Sequence, residues 1–399
     1  MRSLLAIGCS RFAPLLVLAA CTAGQRPVSD LEQRVHRSAT VVDAHSDITE
    51  SIVFADYDFA VRHRADQSHQ DLPRMREGGV DAQIFAIWIE AEKVPKEKWW
   101  SEAERELVVA REKLAKVKGV VLARTASEIR AAKERGEVAA LFGIEGGHML
   151  GPGTEDEQLT RLRRLAGLGA RYLTLTHTTS NDLGGSSGDD GRTKGLTGFG
   201  RRMLAEMEKL GVIADVSHVS DPMFWDVVRA ANKPVLASHS SARQLANVHR
   251  NVSDAMAQAI AKTGGAVCVN FFPAFLDAAW FQGFTPIDDQ LERELGPRAK
   301  LHMLITDYRP LIAPRLRSLP RVTVANVADH VLHLVKAAGI DHVCIGSDYD
   351  GIPAAPEGLD DVSGMPLLTA ELLRRGMGEA EVAKVLGGNL LRVLAAAEQ

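Results

Sequence analysis

Short apolar runs rich in β-branched residues alternate along the chain with stretches of helical periodicity. The runs have the length and composition of buried strands, and eight of them lie at 41–47, 80–88, 138–145, 172–177, 213–218, 234–240, 266–272 and 342–348. Between them, apolar residues recur every three or four positions, as at Leu159, Leu162, Leu165 and Leu168, which predicts amphipathic helices. Eight strand–helix units in series predict an α/β fold of the TIM (β/α)8 barrel type, with about 250 core residues.

Two regions of the chain lie outside the eight strand–helix units of this barrel. Residues 273–325, between the seventh and eighth predicted strands, are rich in proline and contain no clear strand, so we interpret them as an insertion. After the last strand, 366–375 and 379–397 are predicted to form two C-terminal helices that close the barrel. The sequence therefore predicts a single (β/α)8 domain over residues 39–399.

The N-terminus has the pattern of an export signal. Residues 1–20 contain Arg2 and Arg11, no acidic residue and a short apolar run, and the segment Leu18-Ala19-Ala20-Cys21 resembles a bacterial lipobox, in which the cysteine becomes the lipidated first residue. Simple cleavage before an unmodified Cys21 is the alternative. Residues 21–38 are polar without periodicity and are predicted to be a tether. We therefore expect an exported, periplasm-facing lipoprotein of the cell envelope, held to the membrane only by a lipid anchor at Cys21.

Composition narrows the classes of function. The chain of 399 residues is 46% hydrophobic and 25% charged, as in ordinary globular proteins, and no apolar run reaches the roughly 20 residues of a membrane-spanning helix. A net charge of −4 without a long basic run argues against a nucleic-acid partner. Cys268 and Cys344 lie in predicted strands, where buried free thiols are the expectation.

Polar side chains gather at the carboxyl ends of the predicted strands, where the functional sites of such barrels lie. Six of the eight strands end on histidine or carboxylate, at His45 and Asp47, Glu145, His177, His218, His239 and Asp348. Nitrogen and oxygen ligands without a thiolate suit zinc or a similar divalent ion, and a glutamate between two half-sites can bridge two metals. Because such a pair can hold a bridging hydroxide and polarise a carbonyl, hydrolysis of an amide is the expected chemistry.

Eight short motifs occur in one order between residues 42 and 393, and thus over nearly the whole mature chain. They are VDAHSD at 42–47, GIEGGH at 143–148, RYLTLTH at 171–177, DVSH at 215–218, SHSSAR at 238–243, RNVSD at 250–254, GSDYDG at 346–351 and NLLRV at 389–393. This ordered set resembles the renal (membrane) dipeptidase family, peptidases with a binuclear zinc site in a TIM barrel. Each motif alone is weak, and the order makes the resemblance specific.

The resemblance implies a metal site with two zinc ions. His45 and Asp47 would hold one zinc, His218 and His239 would hold the other, and Glu145 would bridge them. It also implies an activity: hydrolysis of the peptide bond of dipeptides, with a D-residue tolerated on the C-terminal side, by attack of a metal-bridging hydroxide.

Three further residues receive roles from the resemblance. His177 would bind the substrate carbonyl and stabilise the tetrahedral oxyanion, and Arg250 would bind the free carboxylate of the dipeptide. Asp348 would take a proton from the bridging water and pass it to the leaving amine. From the residues alone, Arg250 would be interpreted as a surface cation.

Departures from the family leave the substrate open. Ile48-Thr49-Glu50 stands where mammalian members often have Leu-Pro-Trp, so Glu50 either favours a basic N-terminal side chain or is a solvated loop carboxylate. Trp88 is either a wall of the substrate pocket or a packing residue, and His148 either supports the zinc ligands or lies in a loop. His330 and His333 are expected to face solvent.

Two alternatives to a dipeptidase stay open. One is a related amidohydrolase acting on a lactam, a lactone or an N-acyl amino acid, and the other is a binding lipoprotein that has lost catalysis. Relatives are often homodimers, and the 273–325 insertion is a candidate site for that contact.

Overall fold

Parallel strands and the helices that follow them form most of the chain in the computed structural model, which describes residues 27–55, 57–91, 94–296 and 305–398. The strands are β1 (Val42–Ser46), β2 (Ala82–Ile87), β3 (Val120–Leu122), β4 (Val138–Glu145), β5 (Ala170–Thr174), β6 (Ile213–Asp215), β7 (Val235–Ala237), β8 (Ala266–Val269) and β9 (Val343–Ile345). The predicted signal peptide over 1–20 and the predicted lipidation site Cys21 lie outside the described residues.

Helices separate the strands and cover the outside of the sheet. They are α1 (Asp30–Ser38), α2 (Ile48–Phe54), α3 (Leu72–Glu77), α4 (Trp99–Ala115), α5 (Ala126–Glu134), α6 (Glu155–Leu168), α7 (Gly198–Leu210), α8 (Asp221–Ala230), α9 (Asp254–Lys262), α10 (Pro273–Leu276), α11 (Ala278–Leu295), α12 (Ile305–Leu316), α13 (Val324–Ala338), α14 (Met365–Arg374), α15 (Glu379–Ala383) and α16 (Asn389–Ala397). Among the residues described above, no helix is both long and apolar enough to cross a membrane.

The sheet has the order β1-β2-β4-β5-β6-β7-β8-β9, and every pairing is parallel. Backbone hydrogen bonds from Asp47 to Tyr349 (2.9 Å) and from Asp348 to His45 (3.2 Å) bring the two edges together. These eight strands overlap the eight predicted ones, so the predicted TIM barrel is confirmed. The short β3, which pairs beside β4 outside this order, was not predicted.

Alternation along β4 explains how the barrel interior receives a charged group. Ala139 and Leu141 belong to the apolar cluster inside the barrel, together with Tyr172. Phe142 and Ile144 belong to the apolar cluster between the sheet and the surrounding helices. Because successive side chains of a strand point to opposite faces, Glu145 falls on the inner face at the carboxyl end of the strand.

The structure changes three expectations about the fold. Residues 30–38 were predicted as tether, but they form α1, which begins with a capping box at Ser29 and buries Val35 and His36. The second C-terminal helix is divided into α15 and α16 by a π-helical segment, Lys384–Gly388, whose backbone is non-helical at Gly387. The predicted insertion over 273–325 is helical where it is described, because it contains α10, α11 and α12.

Cys268 and Cys344 were expected to be buried free thiols, and this expectation is wrong. The two residues form a disulfide. The two residues face each other in the register of β8 and β9, with 4.1 Å between their Cα atoms. The sequence pattern identified two buried positions, and only the strand register makes them neighbours.

Candidate metal centre

The carboxyl ends of the strands bring the five predicted metal ligands together, with Glu145 at the centre. Glu145 Oε2 lies 3.6 Å from His45 Nε2, which is 3.5 Å from Asp47 Oδ2. Glu145 Oε1 lies 3.0 Å from His218 Nε2 and 3.2 Å from His239 Nε2. One carboxylate therefore faces one donor pair with each of its oxygens, which is the arrangement of a bridging ligand.

Three overlapping groups of donor atoms can each hold a cation, since their atoms lie within 4.8 Å of one another. These groups are His45, Asp47 and Glu145; Glu145, His177 and His218; and His45, His239 and Asp348. The structure thus also brings His177 and Asp348 to the cluster.

Unpartnered buried atoms support a cation at this place. His45 Nε2 and Asp47 Oδ1 are buried without a hydrogen-bond partner among the described residues. The Nε2 atoms of His218 and His239 lie only 3.0 Å apart. Buried polar atoms normally have partners, and lone pairs that converge in this way are satisfied by a divalent ion.

A second layer of residues orients the imidazoles. His45 Nδ1 is hydrogen-bonded to the Tyr172 hydroxyl at 2.7 Å, and His239 Nδ1 to the Ser238 hydroxyl at 2.7 Å. Both rings therefore turn Nε2 toward the centre, as metal-binding histidines do. Gly143 makes the first contact possible, because a Cβ there would lie 2.0 Å from the Tyr172 ring.

Two site residues have backbone conformations that non-glycine residues rarely adopt. The φ angles of His218 and Asp348 are 71° and 64°, in the left-handed region. Asp348 Oδ2 accepts a hydrogen bond from the side chain of Asn270 at 2.8 Å, which leaves Oδ1 facing the cluster 3.9 Å from His45 Nε2. Strain of this kind persists where the surrounding structure holds a functional group in place.

Burial and neighbouring charges shift the pKa values of Asp47, Glu145 and His177. Burial raises the pKa of Asp47 well above its usual range, and the charges of Glu145 and Asp348 add to this effect. Burial alone would also raise the pKa of Glu145, but the surrounding histidines outweigh it and hold that pKa well below its usual range. Burial lowers the pKa of His177 to about 3, so this ring is neutral near pH 7.

Arg250 lies beside the cluster rather than on the surface. Its guanidinium is 5.2 Å from the centre of the Phe275 ring, and Nη2 is 3.5 Å from the backbone oxygen of His239. Nη1 is buried and has no partner among the described residues. A guanidinium held in this way is suited to bind a carboxylate from the substrate.

A pocket of about 760 Å³ opens above the cluster. Its wall includes Glu50 and Trp88, so the interpretations that place them at the pocket agree with the structure. The insertion supplies the opposite side with residues that the sequence analysis did not single out, Phe275, Phe284, Asp288 and Tyr308. The aromatic residues Phe275, Phe284 and Tyr308 were visible in the sequence, but their position depends on how the insertion folds back.

Two other histidines differ from the simplest expectation. His148 Nε2 donates to the backbone oxygen of Ile89 (2.9 Å), and its Nδ1 has no partner among the described residues. The ring lies 6.3 Å from that of His177 between centres, so His148 neighbours the site without hydrogen-bonding to a candidate metal ligand. His330 was expected to face solvent, but it is buried between Ala242 N (2.9 Å) and Leu276 O (3.1 Å).

A parallel eight-stranded barrel with imidazoles and carboxylates at its strand ends has the architecture and donor set of a metal-dependent hydrolase. The chain belongs to the family described as Membrane dipeptidase (Peptidase family M19), whose sequence profile matches residues 30–399. It is therefore a metallopeptidase of the dipeptidase type, and the resemblance found in its motifs is confirmed.

Solved structures of similar proteins share the fold. The chain is similar to the probable dipeptidase PvdM from Pseudomonas aeruginosa, with 24% identity and a TM-score of 0.78 over 92% of this chain and 98% of that one. The metallo peptidase dipeptidase AC has 25% identity and a TM-score of 0.71 over 90% and 98% of the two chains. A metallo peptidase from Rhodobacter sphaeroides, liganded with a phosphinate mimic of the dipeptide L-Ala-D-Ala, has 24% identity and a TM-score of 0.69 over 90% and 99%.

Proposed function

We propose that this protein is a dizinc dipeptidase that cleaves dipeptides, including those with a D-residue on the C-terminal side. The observation that carries the proposal is the position of Glu145, whose two carboxylate oxygens face two separate donor pairs. A single-metal site has no need of such a carboxylate. The R. sphaeroides relative with its bound L-Ala-D-Ala mimic supports including a D-residue.

The donor set fits two zinc ions. His45 and Asp47 would hold one, His218 and His239 the other, and Glu145 would contact both, because the buried donors of each pair converge without enough protein partners. When bound, such a pair lowers the pKa of a water between the ions and polarises the carbonyl of the scissile bond.

The chain's own residues bind and orient the dipeptide. Arg250 would pair with the C-terminal carboxylate through its partnerless Nη1. His177, neutral because burial lowers its pKa to about 3, would donate from Nε2 to the carbonyl oxygen as negative charge develops there. The apolar wall formed by Phe275 and its neighbours excludes water from this end of the pocket.

Asp348 is the group best placed to move the proton. Its Oδ2 is held by Asn270, while Oδ1 faces the metal ligands. Oδ1 would accept the proton of the attacking water and deliver it to the amine of the leaving amino acid. The strained backbone at Asp348 fixes that oxygen before substrate binds.

The same proposal includes export and anchoring at Cys21. The disulfide Cys268–Cys344 supports an oxidising compartment, since disulfides are rare in the cytosol. An enzyme of this kind in the cell envelope would meet dipeptides released from the wall. Cys21→Ser is expected to move the mature protein from the membrane fraction to the soluble fraction.

The test is metal content by elemental analysis on the purified mature chain, combined with hydrolysis of L-Ala-L-Ala, L-Ala-D-Ala, a dipeptide amide, a lactam and an N-acyl amino acid. Two zinc ions per chain with turnover of the free dipeptides is the expected result. Two zinc ions with turnover of only lactams or N-acyl amino acids would mean that these compounds, and not dipeptides, are the substrates. Failure to bind zinc would overturn the proposal.

Arg250→Ala separates the two substrate classes within the same assay. The variant is expected to lose activity toward free dipeptides and to retain activity toward a neutral dipeptide amide. Equal losses on both substrates would contradict the carboxylate-binding role. Arg163→Ala is the matched control, because Arg163 pairs with Glu206 at 2.7 Å and neither residue lines the pocket.

A further inference from the structure

The indole of Trp88 contacts His177 on the side of the ring that faces away from the metal ligands. Trp88 follows β2, and its Nε1 lies 3.2 Å from His177 Nδ1. The two ring centres are 5.2 Å apart with the planes tilted by 60°. Both residues line the pocket, so the contact belongs to the site and not to the core below it.

The chemistry of the two groups decides which nitrogen carries the proton. An indole N–H can only donate, and therefore His177 Nδ1 must accept. In a neutral imidazole the single proton is then on Nε2. That atom lies on the side of the metal ligands, 3.9 Å from Glu145 Oε1.

A second contact at the same nitrogen cannot make this choice. The Thr178 hydroxyl is 3.2 Å from His177 Nδ1, but a hydroxyl both donates and accepts, so it fits either tautomer. Without the indole, Nδ1–H could donate to Thr178, and Nε2 would then present a lone pair to the substrate carbonyl.

Trp88 is itself held from behind. Its backbone N–H donates to Glu106 Oε2 at 3.2 Å, and Glu106 lies fully buried on α4. The backbone that carries the indole is therefore held in place, which is necessary for a side chain that orients another one.

We infer that Trp88 is a positioning residue that keeps His177 in the Nε2–H tautomer, so that this ring can donate a hydrogen bond to the substrate carbonyl oxygen as it becomes an oxyanion. The inference rests on the proposed function for its catalytic consequence. The tautomer itself follows from the contact and is measurable without substrate.

Trp88→Phe keeps an aromatic wall and removes the donor. Because loss of an oxyanion donor costs about 10²–10³-fold in kcat and here the donor is only mispositioned, we expect kcat to fall about ten- to a hundred-fold. KM should change by less than about three-fold, since the hydrogen bond strengthens only in the transition state. Zinc content should stay that of the wild type.

Trp99→Phe is the matched control. It makes the same chemical change on another half-buried tryptophan, whose indole donates to the backbone oxygen of Val94 at 2.9 Å. We expect kcat within about two-fold of the wild type, as for a change outside the catalytic machinery. An equal loss in both variants would show a general packing effect and overturn the inference.

A double-variant cycle with His177→Gln tests whether Trp88 acts through His177. In that background Trp88→Phe should change kcat by less than about two-fold, because there is no ring left to orient. Independent, multiplicative losses would overturn the positioning role and leave Trp88 as a pocket wall.

Nitrogen NMR of the imidazoles provides the readout that does not depend on activity. In the wild type, the resonances that disappear in His177→Gln should show protonated Nε2 and unprotonated Nδ1, and Trp88→Phe should shift them toward the other tautomer. A protonated Nδ1 in the wild type would overturn the inference even if Trp88→Phe did not fold. If the wild type binds zinc but cleaves no dipeptide, the proposed function fails while this measurement still decides the tautomer.

Discussion

At the floor of the pocket the candidate metal ligands follow barrel strands, whereas one part of the rim is lined by side chains of α10, α11 and α12. Each floor strand is hydrogen-bonded to parallel neighbours, so the position of Glu145 depends on β4 and on both strands beside it. The rim helices contain internal prolines, Pro286 in α11 and Pro310 and Pro314 in α12, which remove helical hydrogen bonds. The metal ligands are thus placed on strands held by neighbours on both sides, and part of the pocket wall is placed on helices that prolines interrupt.

The disulfide also connects the floor and the rim, because it joins β8 and β9, the strands before and after the insertion. Cys268 and Cys344 belong to the two strands that flank the insertion, with a sequence separation of 76. His330 on α13 contacts the loop after β7 through Ala242 and α10 through Leu276.

The largest effect is expected from Glu145→Gln at the floor. An amide cannot supply two anionic oxygens to two cations, so zinc content should fall and kcat/KM should decrease by at least about 10³-fold. Elemental analysis and dipeptide hydrolysis measure this, and circular dichroism checks the fold. Glu137→Gln, which removes a carboxylate paired with Arg135, is the control. Normal zinc and activity in Glu145→Gln would show that this residue does not bridge metals.

Removing the disulfide should lower stability more than activity. For Cys268→Ala/Cys344→Ala we expect a loss of roughly 2–4 kcal/mol in the free energy of unfolding, because the unfolded chain regains the freedom of the loop that contains the insertion. Neither cysteine lines the pocket, so kcat should change little. Denaturant unfolding with and without reductant measures the effect. Reductant should destabilise the wild type and leave the double variant unchanged, and equal stability of both proteins would contradict the prediction.

Acid should weaken the connection between floor and rim through His330. Burial lowers the pKa of His330 from its usual 6.5 to about 4, so the stability that the neutral ring contributes is present above pH 6.5 and is lost as the pH falls from 6.5 toward 4. Because the unfolded chain takes up a proton in this range and the folded chain does not, the free energy of unfolding should fall by about 2 kcal/mol between pH 7 and pH 5. In His330→Gln this pH-dependent loss should shrink by that amount.

The control for this measurement is His333→Gln on the same helix, where the side chain is only partly buried. Unfolding free energies at pH 7 and pH 5 are compared for the three proteins. A pH-dependent loss of the same size in wild type and His330→Gln would assign the acid sensitivity to other groups.

The smallest effect is expected at the rim. The Tyr308 hydroxyl donates to Asp288 and connects α12 to α11. One such hydrogen bond contributes about 1 kcal/mol, so Tyr308→Phe should raise KM about five-fold and leave kcat within about two-fold. Steady-state kinetics on one dipeptide test this. A fall in kcat with unchanged KM would mean that the rim takes part in the chemical step.

Residues whose role depends on local pattern could be predicted. The strand ends at His45, Glu145 and His239 are visible because apolar runs stop on a polar side chain, and parallel strands place such ends together. The helix α1 was missed because only Leu31 and Val35 among its nine residues are large and apolar, although its capping box of Ser29 and Glu32 is a local pattern that was present in the sequence.

Residues whose role depends on contacts across the fold could not be predicted. Asn270 holds Asp348, Tyr172 holds His45, and Trp88 contacts His177 over sequence separations of 78, 127 and 89. The same applies to the pairing of Cys268 with Cys344 and to the burial of His330, because a sequence pattern reports the face of an element and not its neighbour.

The sequence by itself determined the barrel, the six polar strand ends and the family, because each can be recognised from local periodicity or from the order of short motifs. Only the tertiary structure decided that Asn270 holds Asp348, that the insertion lines the pocket, and that an indole donor faces Nδ1 of His177. Those outcomes depend on distances between elements far apart in the chain, and such distances are set when the closed sheet brings its strand ends to one side.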